Sequence, residues 1–357
     1  MDKKFKFYIT GVLILVIVGL AVTGLLYLQK ERRKQQQDQS EINEIIQQTL
    51  DICEKIKKID GLCFTEDEEP GVYAVMIENH VDSRPPSGLA EASLVYEAIV
   101  ESPITRFLAV FSADKVIEKI GPVRSARPFY VDWAREFNGP YVHVGGSNEA
   151  LDLISKVYSF DLNEFSSGQY FWRSWLRRQP HNVYTSSELI TKAVDNKGWQ
   201  PAYDFESWKF KPDTELVQRG KTKKITVDFA TRDFTIDWYY DRENNNYQRY
   251  QAGQEHEDSD GAKIKAKNIA IIYTESTVID SYGRRKTTTI GSAKAIVFLD
   301  GQVIQATWKR PNLTSRTRFY NQSGQEILFN SGKTWIEVVP DHFPKVVVEE
   351  DLEQMIQ

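Results

Sequence analysis

The chain has 357 residues, too many for one ordinary domain and few for three when domains run to roughly 100–200 residues, so two soluble units and an anchor are expected. Apolar residues at 41% and charged residues at 27% are globular proportions, which excludes a chain too polar to bury a core. A formal net charge of −5 gives no global attraction to nucleic acid, whose phosphates call for a basic surface, and no nucleic-acid partner is expected.

From Ile9 to Leu28 the chain carries no charge. That is about the 20 residues needed to cross roughly 30 Å of hydrocarbon, and the run predicts a transmembrane helix. A cleaved signal peptide would need a shorter run and a small-residue cleavage site. Lys3, Lys4 and Lys6 precede the span and Lys30, Arg32, Arg33 and Lys34 follow it, so charge bias alone does not orient it. A short cytoplasmic tail with the bulk exported is the usual arrangement. Ile42, Ile45, Thr49, Ile52, Ile56 and Ile59 then alternate three and four apart, which predicts a helical stalk with one apolar seam. Cys53 and Cys63 flank the end of this stretch, either as a local disulfide of an exported domain or as two inert thiols. Thr65–Gly71 (TEDEEPG) is an acidic linker closed by Pro-Gly.

Val72–Glu78, Leu94–Val100 and Ile104–Phe111 are β-branched and aromatic runs bounded by turn residues, and predict strands. Helices are expected over Ala126–Phe137 after Ser125, Asn148–Lys156 after Ser147, and Glu188–Asn196 after Ser186 or Ser187, with Gly198 as the stop. Beyond about residue 210 the pattern turns to strands: Ile225–Ala230, Phe234–Tyr240, Ile269–Tyr273 and Lys294–Trp308. Asp300-Gly301 supplies a two-residue hairpin turn within the last of these. A second hairpin is expected around Gln322–Gln325, leading to Trp335–Val339. The expected organisation is a tail and anchor over 1–30, stalk and linker over 31–70, an α/β region over 71–210, a β-rich region over 211–345 and a tail over 346–357. The fold class expected is mixed α+β, layered sheet and helices, with a β-rich C-terminal part and one N-terminal transmembrane helix.

Polar side chains gather at expected strand ends and helix starts, where sheet folds usually build sites. In Gly121–Asp132, Arg124, Ser125 and Arg127 fall where a helix should begin, and two arginines beside free N–H groups suit an anion. They could equally pair with Glu97, Glu101 or Asp132 inside the domain. Gly145, Gly146 and Ser147 end a strand and open a helix beside His143. This is not the phosphate-loop pattern, and such turns are more often a plain cap. His143, in an apolar strand, reads first as a hydrogen-bonded core histidine. His181 and Asn182 follow Arg177 and Arg178 in a tight segment. The five histidines, His80, His143, His181, His256 and His342, form neither HExxH nor H-x-H, so no metal centre is expected, and no cofactor either. No G-x-S-x-G elbow is present. Glu97 and Glu101 would face one side of a strand about 13 Å apart, too far for a two-carboxylate mechanism.

The succession LVYEAIVE (94–101), ITRFLAVF (104–111), IGPVRSARPFYVDWA (120–134), YVHVGGS (141–147), FWR (171–173) and PHNVYTS (180–186) resembles the YerB-like family of bacterial lipoproteins and membrane-anchored proteins. The likeness continues through IGSAKAIVFLDGQVIQATWKR (290–310) and GKTWIEVVP (332–340), and so spans 71–340. It implies an envelope-facing protein with a family-specific N-terminal domain over 71–210 and a smaller C-terminal one, and it brings no reaction. Members are often lipoproteins, but here no cysteine follows the apolar run to accept a lipid. The helix itself is the expected anchor.

Trp308, Lys309, Arg310, Arg316, Arg318 and Trp335 mix aromatics with cations, either as a glycan or anion surface or, more simply, as a Trp core with solvated charges. Basic runs at Lys221–Lys224, Lys263–Lys267 and Arg284–Lys286 read as exposed turns that could also face anionic lipid. Three functions stay open. The first is an extracytoplasmic binding module holding an anionic wall ligand through Arg124, Ser125, Arg127, Gly145, Gly146, Ser147, His181 and Asn182. The second is an envelope hydrolase or transferase with His143 or His181 as base and Glu97 or Glu101 as acid. The third is a scaffold for an envelope protein.

Overall fold

The computed structural model of the chain describes residue 20 and residues 23–37, 39–40, 43–44, 53–342 and 346–350. Two compact units divide it, Met1–Ile52 and Cys53–Gln357. In the first, residues 23–37 are helical. Among the described residues no helix is long and apolar enough to cross a membrane, and most of the Ile9–Leu28 run lies outside them. Ile42, Ile45, Thr49 and Ile52 of the expected stalk also lie outside.

The end of that seam is not helical. Cys53 and Cys63 are joined in a disulfide, Ile56 pairs with Cys63 in an antiparallel bridge, and Gly61 turns the chain with φ +68°. Ile59 is buried in the core of the second unit, which explains its apolar character without a stalk.

The labelled strands of the second unit are, in chain order, β1 Val72–Glu78, β2 Leu94–Glu101, β3 Ile104–Ser112, β4 Tyr141–His143 and β5 Asp161–Asn163. Then come β6 Thr222–Asp228, β7 Thr235–Asp241, β8 Asn246–Gln251, β9 Gln254–Glu255 and β10 Lys265–Ala266. The last are β11 Asn268–Thr274, β12 Gly291–Leu299, β13 Gln302–Arg310, β14 Arg318–Asn321, β15 Thr334–Pro340 and β16 Val346–Glu350. The helices are α1 Pro128–Ala134, α2 Asn148–Val157, α3 Glu164–Ser167 and α4 Ser187–Asn196. The fold is mixed α+β with few helices and a β-rich C-terminal part.

A ten-stranded mixed sheet in the order β14-β13-β12-β11-β15-β2-β3-β1-β4-β5 draws strands from both halves of the sequence. The seam is β15, which pairs parallel with β2 on one side and with β11 on the other. A smaller sheet runs β9-β8-β7-β6-β16, with β10 also on β8. The near-continuous apolar runs of β1 to β3 follow from burial on both faces. Tyr73, Val75, Ile77, Val95 and Phe107 meet Ile225, Val227, Ile236 and Trp238 of the smaller sheet. Ala74, Met76, Tyr96 and Leu108 meet Phe129, Tyr130 and Trp133 of α1. Each such aromatic, fully buried, contributes roughly 1.5–3 kcal/mol. The layers are therefore small sheet, large sheet, helix.

The Asp300-Gly301 turn forms as expected, with φ of +52° and +68°. Two expectations shift. The helix expected from Ala126 starts at Pro128, with Arg127 extended at its cap, because the residue before proline is pushed out of the α region. The segment at Gln322–Gln325 does turn, with Tyr320 bridged to Glu326. Beyond it a two-residue strand, Phe329–Asn330, pairs with Phe210–Lys211, and β15 then crosses to the middle of the sheet instead of pairing back on β14.

Candidate functional site

Strands β1, β4 and β5 are mutually parallel, so their carboxyl ends share one edge of the large sheet. The segment 122–127 is laced across that edge. Glu78 N–H donates to Pro122 O (2.9 Å), Arg124 N–H to Met76 O (2.9 Å) and Ala126 N–H to Gly145 O (3.0 Å). This lacing sets Arg124 beside Glu78, the last residue of β1. The Glu78 carboxylate is 4% exposed and accepts from Arg124 Nε (2.8 Å) and His181 Nδ1 (2.9 Å). The His181 ring stacks on His80, with centroids 4.9 Å apart. Beneath them Arg106, opposite Glu78 in the β1/β3 register, donates to Ser125 O (2.6 Å). Burial and the charge of Arg124 depress its pKa to about 10.

Arg124 and His181 are thus brought together through Glu78, whereas Ser125 contributes its carbonyl to Arg106. Arg127 is not part of the pair. Its guanidinium is bonded to Glu101 and to Ala126 O, and its buried Nε has no partner among the described residues. Gly145 takes φ +56°, and its N–H is held by Asn163 Oδ1 (2.9 Å). A Cβ at Gly145 would lie 2.6 Å from the Phe165 ring. Ser147 caps α2 by accepting from Ala150 N–H (3.2 Å). His143 is fully buried, with Nδ1 2.7 Å from Gly145 O and Nε2 2.6 Å from Asp161 Oδ1. The glycine turn and His143 therefore bond to the protein itself. Asn182 braces the 172–184 hairpin, accepting from Arg173 (3.3 Å) and donating to Ser174 O (3.3 Å).

Glu97 and Glu101 do not face one side of β2. A register shift between Ile99 and Glu101 sends Glu101 to Arg127 and leaves Glu97 pointing to the smaller sheet. There Glu97 is fully buried, accepting from Arg249 (2.6 Å), Thr105 (2.7 Å) and Asn79 (3.3 Å). Across the β2/β15 register stands Glu337, also fully buried, which accepts from Trp238 Nε1 (2.9 Å). Burial and the neighbouring Glu97 charge hold the Glu337 carboxyl well above the usual range. Arg249 lies among the rings of Phe107, Trp238 and Trp335, and burial beside its charge drives the His256 pKa well down.

A second buried charge group sits on the helix side. Glu136 accepts from Tyr96 OH (3.1 Å), Thr317 Oγ1 (2.7 Å) and Thr317 N–H (3.1 Å), and lies 3.3 Å from Arg310 Nε and 3.5 Å from Arg316 Nε. Arg316 stacks on Phe137, Phe205 and Trp208. Of the C-terminal aromatics and cations, Trp308, Trp335, Arg310 and Arg316 are therefore core residues. Sequence reasoning missed Glu78, His80, Glu136, Arg249 and Glu337 as partners. Glu78 and His80 had a signal, since they close an apolar strand run. Arg249 and Glu337 are single charges inside alternating or apolar runs and Glu136 stands beside Arg135 after a helix, and only the fold shows what they meet.

The first half matches the family model "Protein of unknown function (DUF3048) N-terminal domain" over residues 61–200, and the second half matches its C-terminal domain over 225–336. The chain is 33% identical over 273 residues to "Putative lipoprotein YerB" of Bacillus subtilis (strain 168), covering 75% of this chain and 81% of that one. It is also similar to the crystal structure of the YerB protein from Bacillus subtilis, with a TM-score of 0.73 at 31% identity over 83% of this chain and all of that one.

Proposed function

Because the chain belongs to the DUF3048 family that includes YerB, whose biochemical role is unknown, we propose a reading from its own residues: a membrane-anchored extracytoplasmic module that binds an anionic ligand. Three observations support the location. The relative is named a lipoprotein, the Ile9–Leu28 run is long enough to anchor, and the Cys53–Cys63 disulfide suits an oxidising compartment. The ligand class, a phosphate or carboxylate of a wall fragment, rests on Arg124. Its Nε is held by buried Glu78, while its two terminal amino groups have no acceptor among the described residues, and the side chain is 22% exposed. A guanidinium fixed at one nitrogen with two donors free is set to clamp an oxyanion. The His181 and His80 rings lie beside it.

Arg127 is given a different role from Arg124, and this separates the reading from a general basic edge. The full-length protein in detergent is heated with phosphate, with simple carboxylates and with muropeptides. A ligand at about 100 times its dissociation constant adds roughly 2.7 kcal/mol and raises the midpoint. Arg124→Ala is expected to fold and lose that response. Arg127→Ala is expected to lower the midpoint with or without ligand and to keep the response. Loss of the response in neither variant, or no response in the wild type, overturns the reading and favours a scaffold. The acid–base alternative has less support, since His143 and Glu97 are fully buried in separate networks.

A further inference from the structure

His80 follows β1 directly after Asn79, and His181 comes from the 172–184 hairpin a hundred residues later, so no spacing search in the sequence could join them. With Asp82 they place three ligand atoms within 4.8 Å of one another. We infer that His80, Asp82 and His181 form a binding site for a single divalent transition-metal ion of the zinc or cobalt class.

The donor set comes first. Two imidazoles and one carboxylate are borderline ligands suited to Zn2+ and its neighbours and poorly suited to Ca2+ or Mg2+, which take oxygen cages. Three protein ligands also leave a tetrahedral ion one open position.

The support of His181 is the independent observation. Its Nδ1 faces the Glu78 carboxylate at 2.9 Å, which must accept, so the proton sits on Nδ1. In the neutral ring this leaves Nε2 as the lone-pair nitrogen, and no hydrogen bond to it is found among the described residues. A buried carboxylate bonded to the far nitrogen of a histidine is the usual outer support of a metal ligand, fixing tautomer and ring direction. Arg124 holds Glu78 from its other oxygen. Neither group would be needed to keep a merely solvated histidine in place.

The remaining movement is small and falls on the freer side chains. Donor atoms on a tetrahedral ion with bonds near 2.1 Å stand roughly 3.4 Å apart. Closing from 4.8 Å therefore requires His80 and Asp82 to turn about their side-chain bonds. Their side chains are 31% and 70% exposed, against 15% for His181, and His80 Nδ1 already lies 3.6 Å from the Asp82 carboxylate. Ligation by His80 Nδ1 would replace the hydrogen bond it now accepts from Asp82 N–H (3.2 Å).

The inference does not depend on the anion reading, and its test uses the metal alone. Tag-free full-length protein, stripped with chelator, is titrated with Co2+ in a buffer free of phosphate and followed by its visible d–d absorption. The expected result is one Co2+ per chain with a tetrahedral spectrum, displaced by Zn2+. His80→Ala and His181→Ala each abolish it, while His342→Ala, which removes the exposed histidine beside Asp341, leaves it unchanged. Glu78→Gln is expected to weaken Co2+ by roughly 10–100-fold without abolishing it, the signature of a positioning residue. His80 is exposed enough for its replacement to fold whatever becomes of the His181 variant, and thermal unfolding of each variant checks this. No Co2+ uptake by the wild type, or uptake that survives His80→Ala, overturns the inference. Repeating the heating experiments with anions under chelator keeps the two readings apart.

Discussion

Glu337 faces Glu97 across two parallel strands, and both side chains are fully buried. Arg249 bonds to Glu97, and Arg84, held on Asn79, also lies within electrostatic reach of that carboxylate. The raised pKa of Glu337 therefore means that the folded protein keeps a proton that the unfolded chain releases near pH 4.3. A carboxyl raised on folding contributes stability fully below its unfolded pKa and loses it as pH climbs toward the folded value. Stability measured by urea unfolding is expected to fall from pH 4 toward pH 8 through this group. Glu337→Gln keeps an oxygen for Trp238 and removes the titration. It is expected to match the wild type near pH 4 and exceed it at pH 8, and a variant equally weakened at both would refute the assignment. The site residues show the same principle on the sequence side. Arg124 and Arg127 look alike three positions apart, and what divides them is the carboxylate each one meets, Glu78 or Glu101.

At the level of elements, periodicity carried the strands and composition carried the turns. Val72–Glu78 and Ile104–Phe111 were legible because both faces are apolar, and Asp300-Gly301 because only a few residues accept two positive φ angles in succession. The bulge after Ile99 was not legible, since nothing in LVYEAIVE marks a slipped register, and it reverses the direction of Glu101. Ile56 and Ile59 continued a helical rhythm but belong to a disulfide-closed loop, where burial in the core supplies the same apolar requirement. The double glycine was legible as a turn but not as two unequal positions. Gly145 has φ +56° and the Phe165 ring 2.6 Å from any Cβ, while a Cβ at Gly146 would stand 3.2–3.3 Å from the Leu151 and Ala126 side chains, which must give by a few tenths of an ångström. Phe165 is exposed and can move, so Gly145→Ala is expected to cost about 1–2 kcal/mol, mostly from the left-handed backbone. Gly146→Ala should cost less, and paired denaturant midpoints check the ranking.

For the whole molecule, the change of character near residue 210 is real in composition, yet strands from both sides of it hydrogen-bond in one sheet. A fragment ending at 210 would bare the edge of β2 that β15 covers and leave Glu97 without Arg249. Such a fragment is expected to show no cooperative unfolding transition and to associate. A monomeric 53–210 fragment with a sharp transition would show that the first half holds itself together. The position of β15 also fixes when the protein can fold. Leu94 waits for Thr334, so the central pairing closes only after nearly all of the chain has been delivered. Contacts this distant in sequence are slow to form. If the soluble part is exported as proposed above, it emerges with Leu94 well ahead of Thr334, and that delay leaves an apolar sheet edge open on the far side throughout transit. On that proposal the late strand makes the speed of export, and whatever shields the emerging chain, as decisive for yield as the stability of the finished fold.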